Sequence, residues 1–86
     1  MKIKYVSNPV EIQAIQYNSA NSLDEMFRAW PEFTEFLIEK SEDYFILSLE
    51  GPMKLVESFW VIKGTVGEFY PCKDEVFQKK YKKYEE

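Results

Sequence analysis

The apolar residues of this 86-residue chain change their spacing three times, and that alternation constrains the fold more than any other feature. From Pro9 to Tyr17 they alternate, with Val10, Ile12 and Ala14 on one side and Glu11, Gln13, Ile15 and Tyr17 on the other, which is the period of a strand. From Ser22 the period lengthens. Leu23, Met26, Phe27 and Trp30 fall within an arc of about 100°, the stripe of a core-facing helix. Ser22 with Glu25 three residues later has the form of a capping box, which predicts the helix start. Pro31 breaks the stripe, because it lacks an amide donor and disfavours helical geometry at Trp30, yet it suits the first position of a new helix. Phe33, Phe36 and Leu37 then predict a second short helix, flanked by an acidic stripe of Glu32, Glu35 and Glu39 and ending at Lys40-Ser41-Glu42-Asp43.

From Tyr44 the spacing shortens again. Tyr44 to Leu49 reads as a strand that stops at the Glu50-Gly51-Pro52 turn, with Met53 to Val56 returning as a further strand and Phe59 to Ile62 as another. Gly64 and Gly67 suit a tight hairpin from which Glu68-Phe69-Tyr70 pairs back, and Pro71 ends that strand or marks a sheet edge. Asp74 and Glu75 place negative charge in the first turn of a C-terminal helix, whose Phe77, Tyr81 and Tyr84 share one face. The predicted fold is a single α+β domain spanning residues 1–86. Its small, mainly antiparallel sheet has four to five strands, with one broken helix and a C-terminal helix packed on it.

A chain this short is expected to form one domain, and at about 0.05 to 0.15 kcal/mol per residue its stability is about 4 to 13 kcal/mol. Seven Phe, six Tyr and two Trp supply its core with area. With no histidine and the single cysteine Cys72, the chain can form no intrachain disulfide, no ordinary zinc site and none of the His-dependent nucleophilic triads. Cys72 beside Lys73 near a helix start has one requirement of a reactive thiol, but it lacks a histidine base, and a small residue at a strand-to-helix corner is the plainer reading. The residues point to a non-enzymatic protein with no cofactor and no metal. No run of 18 apolar residues occurs and the N-terminus lacks a signal peptide's apolar core, so a cytoplasmic protein that does not span a membrane is expected.

The net charge of -4 is concentrated in residues 24–57, which hold nine acids against three bases. Such acidity disfavours a general nucleic-acid binder. Lys79-Lys80-Tyr81-Lys82-Lys83-Tyr84 mixes bases with rings, but on a helix the lysines project away from the ring face, so a solvated surface is favoured over a nucleic-acid site. The acids Glu32, Glu35, Glu39, Glu42 and Asp43 form either a solvated helix face or a surface that imitates DNA phosphates. The aromatic excess bears more directly on function. Phe59 and Trp60 are adjacent on a strand and must face opposite ways, so one needs a second cover, either the C-terminal helix or another chain. Candidate partner-binding residues are therefore Trp30, Glu32, Glu35, Glu39, Phe59, Trp60 and Tyr70.

Val61-Ile62-Lys63-Gly64, followed by Gly67-Glu68-Phe69-Tyr70-Pro71-Cys72-Lys73 and Val76-Phe77, resembles the C-terminal signature of a family of small tailed-phage and prophage proteins of unknown function. That family reads approximately as a Gly-Asp-aromatic strand, IIKG and GEFYPCKPDIF, and its opening strand is similar to Pro9 to Tyr17 here. The chain departs from it in having Glu57-Ser58-Phe59 where the family has a Pro-Gly-Asp turn, and Asp74 where the family has proline. The resemblance implies a phage or prophage origin and a place in the host cytoplasm. It carries over no catalytic residue. The expected function is binding of a host protein or of a bacterial-defence component, such as a CRISPR or nucleotide-signalling system, by stoichiometric inhibition. A structural accessory protein forming a homodimer or larger self-assembly is the alternative, and a nucleic-acid module using the C-terminal lysines is a third.

Overall fold

The computed structural model describes residues 4–7 and 10–83. In chain order the elements are β1 (Lys4–Ser7), β2 (Val10–Gln16), α1 (Ser22–Ala29), a 3-10 turn (Pro31–Glu35), β3 (Leu37–Lys40), β4 (Asp43–Ser48), β5 (Gly51–Leu55), β6 (Trp60–Lys63), β7 (Phe69–Cys72), α2 (Asp74–Lys80) and β8 (Lys82–Lys83). The expected α+β class holds. The strands divide between two antiparallel sheets, a five-stranded one ordered β7-β6-β2-β1-β8 and a three-stranded one ordered β3-β4-β5.

The five-stranded sheet is covered on both faces, which explains why its central strands have apolar residues on each side. In β2 and β6, Ala14 lies opposite Ile62 and Ile15 opposite Val61. Ile12, Ala14, Trp60 and Ile62 face Phe77 and Tyr81 of the C-terminal segment, while Ile15 and Val61 face the other way, into the main core. That main core is closed by Met26 and Ala29 of α1, by Trp30 and Phe33, and by Ile46 and Leu55 of the small sheet. Phe69 sits at its centre, with ring centroids 5.3 Å from Trp30, 5.1 Å from Phe33 and 5.1 Å from Phe36. These are tilted and edge contacts, the arrangement that aromatic quadrupoles favour.

Four expectations are corrected. The second helix does not form: Phe33 N–H donates to Trp30 O at 2.9 Å and Phe36 N–H to Phe33 O at 2.9 Å, so the chain makes a 3-10 turn and then extends into β3. A 3-10 turn brings i and i+3 together as a helix does, so Phe33 is buried and Phe36 packs beside it without an α-helix. Leu37–Lys40 then finds its backbone partners by pairing with β4. Secondly, the capping box at Ser22 is absent. Ser22 Oγ donates to Asn18 O at 2.6 Å and accepts from Asn18 N at 2.8 Å, while Asn18 Oδ1 accepts from Ala20 N and Asn21 N, both at 3.1 Å. This local side-chain network orders the entry to α1 in place of the cap.

The third correction concerns the C-terminal helix, which ends at Lys80 because Lys82–Lys83 pairs with β1 as β8. Lys79 and Lys80 thus lie on α2 while Lys82 and Lys83 lie on a strand, and the four lysines do not form one helix face. Tyr84 and the opening Pro9 fall outside the described residues. Finally, Glu32, Glu35 and Glu39 do not form a helical stripe, since Glu39 stands on β3 opposite Tyr44. Pro71 lies within β7, which is an edge strand of the larger sheet and so tolerates a residue without an amide donor.

Candidate functional site

The candidate residues chosen for their aromatic character mostly hold the fold together. Trp30 is 1% exposed, and its indole N–H donates to Gln13 Oε1 at 2.7 Å. Phe59 is half-buried against the main core. Trp60 is buried beneath α2, stacked on Phe77 with centroids 4.0 Å apart and ring planes at 9°, and its indole N–H donates to Asp74 Oδ1 at 2.7 Å. The second cover that the adjacent pair Phe59-Trp60 demands is therefore the chain's own C-terminal helix. Tyr70 is half-buried on the same side, with its hydroxyl 3.2 Å from that of Tyr81. Desolvation, and then the bond to Tyr81, push the Tyr70 hydroxyl well above its ordinary value, so it stays neutral.

The acidic candidates are dispersed. Glu32 pairs with Lys63, whose ammonium also lies 6.0 Å from the Phe69 ring. Glu35 and Glu39 are exposed on separate elements. Nearby, Asp43 and Lys54 approach within 3.7 Å across β4 and β5, a pair largely open to solvent and of little energetic consequence. Among the described residues no three of Cys, Asp and Glu converge as a metal site would require.

Cys72 is half-buried at the end of β7, packed against the cluster under α2. Burial raises its thiol above the ordinary value, with Lys80 pulling weakly the other way, and Sγ lies 3.6 Å from Lys73 O. Such a thiol is protonated at neutral pH, and the thiolate is the reactive form. Asp74 is the opposite case. The hydrogen bond from Trp60, followed by one from Gln78 at 3.2 Å, holds its carboxyl below the usual aspartate range. Gln16 Nε2 reaches the same Oδ1 at 3.3 Å, so the carboxylate ties β2, β6 and α2 together.

Four of the exposed large apolar side chains lie at the tips of two hairpins. Leu47 is 42% exposed, Leu49 79%, Met53 37% and Val66 78%. Leu47, Leu49 and Met53 belong to the β4–β5 hairpin, and Val66 to the turn between β6 and β7. They border two adjoining grooves. One, of about 430 Å³, runs between Leu49, Glu50 and Met53 on one side and Glu68, Tyr70 and Pro71 on the other. The second, of about 330 Å³, is bounded by Phe36, Leu47 and Val66. The turns that present these side chains are held by hydrogen bonds. Ser48 Oγ accepts from Glu50 N at 3.1 Å and donates to Gly51 O at 2.8 Å, while Gly64 N donates to Glu68 O at 2.8 Å and Gly67 adopts φ +85°.

Of the sequence-based candidates only Tyr70 borders this surface. The other side chains were missed because Leu47 and Leu49 read as ordinary strand residues. A signal was nonetheless present, in a leucine placed directly before a Glu-Gly turn and a valine enclosed between two turn glycines, where turn chemistry asks for polar residues. Comparison of the chain with family models, with curated proteins and with solved structures finds no match. Among the described residues no helix is long and apolar enough to cross a membrane.

Proposed function

We propose that this chain is a small phage or prophage accessory protein that acts without catalysis, by binding a host protein or a bacterial-defence protein and blocking it stoichiometrically. The observation that carries the reading is the exposed apolar surface of Leu47, Leu49, Met53 and Val66, on a chain whose other large side chains are mostly spent inside the fold. Leu47 and Met53 stand on opposite faces of the β4–β5 hairpin and border different grooves, which share Leu49; exposed apolar side chains around such grooves are the kind of surface that marks an interaction site.

The resemblance to the phage family supports the origin. Its two signature stretches form neighbouring strands, β2 and the β6–β7 hairpin, so they make up one structural unit rather than scattered matches. The departure at Glu57-Ser58-Phe59 also makes structural sense. Phe59 N–H donates to Val56 O at 3.0 Å and Ser58 has φ +74°, which is a type II turn, whose central pair is ideally Pro-Gly. The family's Pro-Gly thus fits the backbone that this chain adopts with Glu57-Ser58.

The test is expression of the tagged chain in a bacterial host, crosslinking in the cell, and quantitative mass spectrometry of what is captured. One protein retained at fixed stoichiometry and released by substitution of Leu49→Glu is the expected outcome. Repeated capture of nothing above background would remove the reading. The alternative of a self-assembling accessory protein draws on the same apolar surface and requires a concentration-dependent oligomer in sedimentation.

A further inference from the structure

We propose that the grooves at the tips of the β4–β5 and β6–β7 hairpins take a segment of another protein in which apolar side chains are flanked by lysine or arginine. The inference rests on the protein-binding reading above and names the chemistry of the partner. Its apolar component follows from Leu49 and Val66, the two most exposed large apolar side chains, which extend from different hairpins and together border the smaller groove, while Leu49 also borders the larger one. Burying side chains of that size against a partner is the dominant favourable contribution to such an association.

The charge component follows from the groove borders. Glu50 and Glu68 stand on opposite sides of the larger groove, and no lysine or arginine lines either one. Among the described residues the salt bridges are Asp43–Lys54 and Glu32–Lys63, so neither groove carboxylate is neutralised by an internal ion pair. Glu68 Oε1 accepts Val66 N–H at 3.2 Å, which holds that carboxylate at the turn. Two negative charges beside apolar side chains, that of Glu68 held at its turn, favour an occupant with positive charge next to its apolar anchors.

The same charges argue against a second copy as the occupant. A two-fold interface centred on these grooves would set Glu50 and Glu68 against their own counterparts in a partly desolvated place. The mode of binding is also restricted. Pro71 removes an amide donor from the four-residue edge strand β7, which weakens it as a template for an added strand, so side chains in the grooves carry the recognition.

The test is selection of binders from a display library of random twelve-residue peptides, followed by affinity measurement on synthetic copies against the intact protein. Enriched peptides are expected to carry two or more large apolar residues flanked by Lys or Arg, and to lose at least tenfold in affinity to Leu49→Glu and to Val66→Glu. Both positions are exposed, so these variants should keep the parent's urea midpoint, which controls for folding. Glu50→Lys should weaken the basic peptides without weakening peptides whose lysines are replaced by norleucine. Enrichment of acidic or uncharged peptides, no enrichment at all, or equal affinity for the Leu49→Glu and Val66→Glu variants each overturns the proposal. So does a concentration-dependent dimer of the parent that Leu49→Glu abolishes, since a second copy would then be the occupant. A captured cellular partner indifferent to Leu49→Glu would overturn this groove while leaving the protein-binding reading in place.

Discussion

Replacing Phe77 by alanine probes the point on which the aromatic surplus turns, namely whether the second face of the large sheet is closed by the chain itself. Phe77 is 1% exposed, lies flat against Trp60 at 4.0 Å and touches Tyr81 at a centroid distance of 5.1 Å. Removing a buried Phe side chain costs about 3 to 5 kcal/mol, combining lost transfer energy with the cavity left behind. Against a total of about 4 to 13 kcal/mol this is a large share, and for a domain of this size it lowers Tm by about 12 °C or more. Urea unfolding followed by fluorescence gives the free energy, and the Trp60 indole N–H resonance reports whether the bond to Asp74 survives. Val76→Ala on the exposed side of the same helix is the control, expected to change stability by less than about 0.5 kcal/mol. A loss below about 1 kcal/mol in Phe77→Ala, with the Trp60 resonance unmoved, would refute the packing of α2 on this face and return Trp60 to the interface candidates.

Ser58→Gly should stabilise the domain by about 0.5 to 1 kcal/mol, since a left-handed residue other than glycine costs about 1 to 2 kcal/mol and glycine's greater backbone freedom offsets part of that; an unchanged or lower urea midpoint contradicts the turn assignment. Asp74 governs part of the acid sensitivity. Because its folded carboxyl titrates below the unfolded one, its contribution is complete above about pH 4 and is lost as the pH falls through the lower folded value. Asp74→Asn keeps an acceptor for Trp60, so its urea midpoint should fall less steeply than the parent's between pH 4 and pH 2, and parallel curves would exclude the role. Cys72 should react with iodoacetamide at pH 7 several-fold more slowly than free cysteine, as its raised thiol value and half-burial require; faster alkylation would show an activation that the geometry does not contain.

The elements that could be read from the sequence are those whose local pattern and tertiary role agree. The helix at Leu23-Met26-Phe27-Trp30, the strand at Tyr44 to Ser48 and the hairpin through Gly64 and Gly67 each meet the core on the side that their apolar spacing indicates. Misreading occurred where two conformations bury the same residues. Phe33 and Phe36 reach the core equally well from a 3-10 turn, and only the neighbouring β4 decides that Leu37–Lys40 becomes a strand. The short strands β1 and β8 gave no local signal, since two to four residues carry too little periodicity, and their state depends on a pairing partner remote in the chain. The candidate site was the least legible part. The chemistry of large rings suggests interface residues, whereas Trp30 and Trp60 lie in the core and the exposed large apolar side chains are leucines, a methionine and valines.

By itself the amino-acid order determined the class of fold, the positions of the main turns and the absence of histidine-dependent chemistry, because these follow from residue identity and near-neighbour spacing. It also required that one of Phe59 and Trp60 be covered from a second side. Only the tertiary structure decided what the cover is, that the strands split into two sheets, and which apolar residues remain exposed once both cores are filled. Burial is a property of where remote elements meet, and a residue's own spacing states which way it faces but not what stands opposite.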